Sequence, residues 1–379
     1  MSEASSGAAA PPPDVADEPP LPPARLTYAL LVLLALVFAG ELLLPAGRNE
    51  DWISPSVQTL VAWGAMSQPM VLGKGEWFRL GTAALLHGGP GHLAMNALAL
   101  LMAGSALELL IGRLWLAALL VLGALGGGLA SVWFNDSGIV GVGASGAIMA
   151  LFGFFLTIAF RFEKGPLRRA FLANSLGALI PSLLPGLIPA SGFQIDYAAH
   201  AGGALAGAAL GLLFVLVWRE EAPRPPLRAL ALAIVLAGAA ALAVAVPRLV
   251  AAFPEARFIG SLMPESAIPA TDEAARAAAD DLIRRYPEDP RGYYYKGLTL
   301  AARNDAAGAE QALGRAVALA ERYPGVFFES FRARLRALHA LALHGLKRDA
   351  EARAVIAPVC GQSAARDLLG TLRREGLCR

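Results

Sequence analysis

The distribution of charge constrains this chain more than any motif does. Six stretches, 80–107, 114–135, 137–160, 170–195, 197–218 and 229–247, contain no Asp, Glu, Lys or Arg. A further apolar run, 26–44, is broken only by Glu41. Each is close to or above the ~20 residues that an α-helix needs to cross the hydrocarbon core of a bilayer. One such stretch could be a buried helix of a soluble enzyme; seven in succession predict an all-α polytopic membrane bundle, its last span at 228–250.

Charge returns abruptly after that span. Residues 1–254 hold 13 Lys+Arg and 14 Asp+Glu, whereas the 125 residues from 255 to 379 hold 19 and 16. The chain therefore divides into a tail (1–25), a membrane domain (26–250), a linker (251–270) and a soluble helical domain (271–379). The tail is rich in Pro and Ala, as in disordered segments. It carries Glu3, Asp14, Asp17 and Glu18 where a signal peptide has a basic start. A net charge of +2 gives no reason to expect nucleic acid.

Lys and Arg set the expected orientation. With the N-terminus cytoplasmic, the inner side carries Arg25, Arg113, Arg161, Lys164, Arg168, Arg169, Arg219, Arg224 and Arg228, and the outer loops carry Arg48, Lys74 and Arg79. This excess favours the N-terminus inside. Seven spans then place the C-terminal domain outside the cytoplasm, in the setting of a bacterial inner (plasma) membrane.

Polar groups inside the membrane are costly and need a partner or a purpose. His87, His92 and Asn96 open the second span (LLHGGPGHLAMNALAL), Ser145 opens the fourth (GVGASGAIMALFG), and His200 opens the sixth (DYAAHAGGALAGAALG). All three of these helices enter from the outer face. The loop-end aspartates Asp136 and Asp196 put Ser145 and His200 on the order of 5–12 Å below the surface. His92 and Asn96 lie one helical turn apart on one face. Serine becomes a nucleophile only when a base within hydrogen-bond reach takes its proton. Ser145 with His200 as base is such a pair, and Asn96, His92 and the Ser145 N–H would stabilise an oxyanion. No acidic third member is evident in the spans, so a Ser–His dyad is expected. The same residue types also occur as packing serines, satisfied histidines and GxxxG helix contacts. Their conjunction at one depth is what points to chemistry.

At these residues the sequence resembles the rhomboid family of intramembrane serine proteases, over about residues 26–250. GASGA (143–147) matches the GxSGx nucleophile motif, with Gly143 and Gly146 flanking Ser145. AHAGG matches HxxG, with His200 as base and Gly203 and Gly207 as packing glycines. HGGPGHLAMN matches HxxxxHxxxN, which gives His92 and Asn96 the oxyanion role and His87 a place in structure and polar access near the site. GEWFRL (75–80) resembles the GEWWR element of the first outer loop, with Glu76 and Arg79 as its structural pair. The resemblance implies a six-helix core plus a seventh span. It also implies substrates that are single-span membrane proteins in the lipid bilayer, cut near the outer end of the span, with no cofactor or metal. Met149 stands where the family often has an aromatic residue stacked on the histidine. Pro181, Pro185 and Pro189 should kink the fifth helix, which in the family is proposed as a lateral substrate gate.

In the soluble part, residues 286–319 resemble a tetratricopeptide repeat, with Tyr294, Gly297 and Ala309 near consensus places, and 327–356 looks like a degenerate second copy. Such stacks bind a peptide or protein. His339 and His344 read as ordinary helix residues. Cys360 and Cys378 both fall in the part placed outside, where an oxidising compartment permits a disulfide. Two other functions compete with proteolysis. One is an inactive rhomboid-like protein that binds membrane proteins in quality control, which does not require Ser145, His200, His92 and Asn96 to be retained together. The other is a proton-coupled transporter, which predicts internal repeats and paired intramembrane carboxylates that the sequence lacks.

Overall fold

A computed structural model describes residues 23–48, 52–185, 195–323, 325–360 and 366–378. The expected tail lies almost wholly outside the described residues, as does Pro189. Among the described residues the regular structure is helical, and the one extended pairing is an isolated antiparallel bridge between Met66 and Gly141. The helices are α1 (Arg25–Leu43), α2 (Val57–Trp63), α3 (Arg79–Thr82), α4 (Pro90–Ile111), α5 (Arg113–Phe134), α6 (Ser145–Ile158), α7 (Pro166–Leu183), α8 (Tyr197–Val217) and α9 (Arg228–Ser261). A second group comprises α10 (Asp272–Ala277), α11 (Ala279–Arg285), α12 (Pro290–Ala302), α13 (Ala306–Glu321), α14 (Glu329–Gly345), α15 (Asp349–Ile356) and α16 (Arg366–Arg374).

Each of the seven apolar stretches holds a helix. By length and composition five of them, α1, α4, α5, α8 and α9, suffice to cross a membrane. The chain is a multi-pass integral membrane protein. The limits differ from those expected in three places. The second span starts at Pro90, not at 80, because residues 80–89 form a short helical turn and a loop with Gly88, Gly89 and Pro90 at its end. The fourth starts at Ser145, not at 137, because 139–143 run extended against the first loop. The last does not stop at 250. It runs on to Ser261, through half of the stretch expected to be a linker.

Backbone proximity builds the centre of the bundle. A Cβ on Gly203 of α8 would run into the Gly146 carbonyl of α6, and one on Gly207 into that of Ala150. Small residues let membrane helices approach this closely, where van der Waals contact replaces the hydrophobic drive available in water. Nearer the C-terminal ends of α6 and α8, Phe214 packs edge-on to Trp115 and Phe154, with centroids 4.8 and 5.5 Å away. Glu108, near the end of α4, accepts from the Leu26 and Thr27 N–H groups and the Thr27 hydroxyl at 3.0, 2.9 and 2.9 Å. It satisfies donors that the start of α1 would otherwise leave unpaired in the membrane.

The first loop is held by Arg79. Its Nε pairs with Glu76 at 2.5 Å, and its Nη1 donates to the Val61 and Ala65 carbonyls at 2.9 and 2.8 Å. Thr82 adds a bond to the Gly64 carbonyl at 2.7 Å. The C-terminal half of α9 runs beside this loop. Leu249 meets Gly64, and Gly260 packs on the backbone of Ala46 and Gly47. Phe258 then lies 5.1 Å from Tyr323, and Arg48 lies over Tyr286 at 5.3 Å. The C-terminal helices thus stand on the same side of the bundle as the first loop. There α12 pairs with α13 and α14 with α15, and Gly297 seats Leu313. Cys360 and Cys378 form a disulfide with Cα atoms 5.4 Å apart.

Candidate active site

Ser145 is the first residue of α6, a helix of 14 residues. At 1.5 Å per residue it spans about 21 Å, less than the ~30 Å hydrocarbon layer. The helix alone therefore does not cross that layer. Its first amides carry the partial positive charge of a helix N-terminus and have no intrahelical acceptor. The segment before it is fixed by three backbone bonds. Met66 and Gly141 exchange N–H···O bonds at 3.1 and 2.8 Å, and the Gly143 N–H donates to the Ala83 carbonyl at 2.9 Å.

Gly143 has φ +119°, in the region that favours glycine. A Cβ there would lie 2.7 Å from His92 Nε2 and 3.7 Å from Asn96 Nδ2. The imidazole of His92 and the amide of Asn96 therefore face the chain two residues before Ser145. Asn96 is buried, and its Nδ2 has no hydrogen-bond partner among the described residues. His87 stacks edge-on to His92 at 5.1 Å from the loop before α4. Glu41 and His87 are fully buried. The Glu41 carboxyl oxygens and both His87 ring nitrogens have no hydrogen-bond partner among the described residues.

His200 lies in the first turn of α8, buried at 9% exposure. Its position follows from a close backbone contact among α5, α6 and α8. A Cβ on Gly146 would sit 3.3 Å from the Ala199 carbonyl, and one on Gly127 of α5 would sit 2.8 Å from the same atom. Ser145 and His200 are each one residue from that contact. His200 Nδ1 lies 2.9 Å from the backbone carbonyl of Ser182, in the last turn of α7. A carbonyl only accepts, so Nδ1 carries the proton and the neutral ring keeps its lone pair on Nε2. The contact also satisfies a carbonyl that a helix end leaves without an amide partner. Ser145 Oγ and His200 Nε2 are not hydrogen-bonded to each other in this state; such bonds commonly tighten only when substrate is in place.

Asp196, which sequence reasoning used only to mark a loop end, belongs to this layer. With Ser145, Gly143, Gly146, Met66 and Ala199 it lines a cavity of about 30 Å³, enough to hold a water molecule. The motif signal for it was present, since Asp four residues before a helical His is an ordinary N-cap. The Ser182 carbonyl had no such signal. Of the remaining residues, Met149 is buried in the core. Glu76 and Arg79 pair with each other in the first loop. His339 faces Glu310, and His344 bridges Asp349 and Glu375 at 2.7 and 3.2 Å.

Residues 74–217 match the Rhomboid domain. The helical core is rhomboid-like. RHOMBOID-like protein 1 of Arabidopsis thaliana is 32% identical over 186 residues, covering 47% of this chain and 45% of the relative. Rhomboid protease GluP of Bacillus subtilis (strain 168) is 36% identical over 163 residues, covering 42% of this chain and 31% of the relative. Rhomboid protease AarA of Providencia stuartii is 28% identical over 213 residues, covering 51% and 73%. This chain spans about half the length of the first curated relatives it matches. The rhomboid-like region contains Glu76, Arg79, His87, His92, Asn96, Ser145 and His200, and the C-terminal helices lie beyond it.

Proposed function

We propose that this protein is an intramembrane serine endopeptidase of the rhomboid type, cleaving single-span membrane proteins near the outer end of the span. One observation carries the reading: the Ser182 carbonyl leaves His200 with a basic Nε2, one residue from the contact that also places Ser145. Ser145 attacks the scissile carbonyl, and His200 takes its proton and returns it to the leaving amine. Negative charge develops on the carbonyl oxygen. Asn96 Nδ2, His92 and the Ser145 N–H are the donors for it. In a conventional triad a carboxylate orients the histidine; here a backbone carbonyl of α7 takes that part, consistent with a dyad.

A substrate helix has its carbonyls bonded internally, so it must unwind before Ser145 reaches one. Small or helix-breaking residues at the cut site favour this. The names of GluP and AarA as proteases support the activity, and the disulfide supports an oxidising, extracytoplasmic side for the C-terminal helices. The paired helices from α12 to α15 are, in this reading, a tetratricopeptide-like unit that holds a peptide or protein close to the first loop. The domain boundaries proposed are 26–250 for the protease and 271–379 for this unit.

The test is cleavage of a single-span substrate by the purified chain in detergent, comparing wild type with Ser145→Ala and His200→Ala. Both variants are expected to lose cleavage. Equal cleavage by wild type and Ser145→Ala would sink the assignment, and no cleavage by wild type would favour a binding protein.

A further inference from the structure

The carboxylate of Asp196 is fully engaged. Its Oδ2 accepts from the Ser131 hydroxyl at 2.5 Å, and its Oδ1 accepts from Asn135 Nδ2 at 2.9 Å and from the Ala199 N–H at 2.8 Å. Asn135 Nδ2 also donates to Ser131 Oγ at 3.1 Å. Ser131 lies in the last turn of α5 and Asn135 caps it. Asp196 itself is the N-cap of α8. One carboxylate therefore joins the outer end of α5 to the start of α8, four residues before His200.

Two roles compete for such a group. An orienting acid for the base would bond His200 Nδ1, but that nitrogen is occupied by Ser182 and the Asp196 oxygens are occupied elsewhere. What remains is mechanical. The clasp sits one turn outside the point where Gly127, Gly146 and the Ala199 carbonyl converge. That point sets how far His200 stands from Ser145. We propose that Asp196, with Ser131 and Asn135, is a positioning residue that holds α8 in register against α5 and so sets the distance from Ser145 to His200. The proposal rests on the protease reading above for its effect on rate, though not for the clasp itself.

Charge and geometry separate cleanly in the variants. Asp196→Asn can keep the arrangement, because its Oδ1 accepts from Asn135 and Ala199 while its Nδ2 donates to the Ser131 hydroxyl. Asp196→Ala cannot. Misplacing a reacting group by about 1 Å costs on the order of 100-fold in rate. In the full-length protein, Asp196→Ala is accordingly expected to lower kcat by about 10–100-fold with KM within about threefold, and to slow fluorophosphonate labelling of Ser145 in parallel. Asp196→Asn should stay within about threefold of wild type in all of these. Hydrogen exchange of the 196–203 amides reads the clasp without any substrate. It should quicken in the Ala variant and not in the Asn variant. Should Asp196→Ala fail to fold, the Ser131→Ala/Asn135→Ala double variant, which keeps the helix cap, is expected to lose about tenfold in kcat. The proposal is overturned if the Ala and double variants keep wild-type kcat and exchange, or if Asp196→Asn falls as far as Asp196→Ala. A wild type that neither cleaves nor labels overturns the protease reading instead, and exchange then still decides the clasp.

Discussion

Gly143 ties the two halves of the candidate site together. Its φ of +119° turns the chain so that the face lacking a Cβ receives His92, with Asn96 beside it, two residues before Ser145. Gly143→Ala should therefore do two kinds of damage, backbone strain and displacement of His92. A drop of at least tenfold in kcat is expected, with the thermal midpoint lowered only modestly, because the loop is held separately by the Gly141 and Gly143 backbone bonds. Asn96→Ala removes a donor and little else, and a loss of about 10²–10³ in kcat is expected from steady-state assays of the purified variant. Ser145, His200, His92 and Asn96 were legible in the sequence because a polar side chain inside an apolar helix stands out. Ser182 was not, since its contribution is a main-chain carbonyl that any residue supplies. Asp196 was half legible: the cap could be read from its position, but its reach to Ser131 and Asn135 depends on how α5 meets α8.

At the scale of elements, the charge-free intervals locate all seven helices but misplace some of their ends. Lack of charge marks what lies within the membrane, whether helix or loop. Residues 139–142 are apolar yet not helical, since Met66 and the Ala83 carbonyl take the backbone bonds of Gly141 and Gly143 and Ser145 thereby becomes a helix start. The same limit explains α9, whose C-terminal half packs on the first loop and so stays helical to Ser261 beyond its last apolar turn. Asp289 fastens the segment just beyond α9. This fully buried carboxylate accepts from the Met263 N–H at 2.8 Å and pairs with Arg291, which also donates to the Met263 carbonyl and pairs with Glu265 at 2.6 Å. Removing Asp289 leaves Arg291 with Glu265 and the Met263 carbonyl, but leaves the buried Met263 N–H without its acceptor. Asp289→Ala is expected to destabilise the C-terminal helices by about 1–3 kcal/mol, seen as an earlier denaturant transition for that unit, with labelling of Ser145 unchanged.

Across the whole molecule, α9 carries the C-terminal helices to the side of the bundle that bears the first loop, and in the proposed reading a bound partner would be held near that loop. The Cys360–Cys378 disulfide fits an oxidising side for that face. Thiol titration of the unfolded, unreduced protein should find none of its two cysteines free, and reduction should lower the unit's stability by about 3 kcal/mol, as closing a loop of this length implies. Free thiols in protein from intact cells would place the unit on the reducing side. The central claim is nearer the membrane: Ser145 is a nucleophile made reactive by His200. Its most direct test is fluorophosphonate labelling of the purified protein, with the modified residue identified by peptide mass spectrometry. The expected result is a single adduct on Ser145, absent in Ser145→Ala and slowed by at least about 100-fold in His200→Ala. An unlabelled wild type, or labelling of His200→Ala at the wild-type rate, would contradict it.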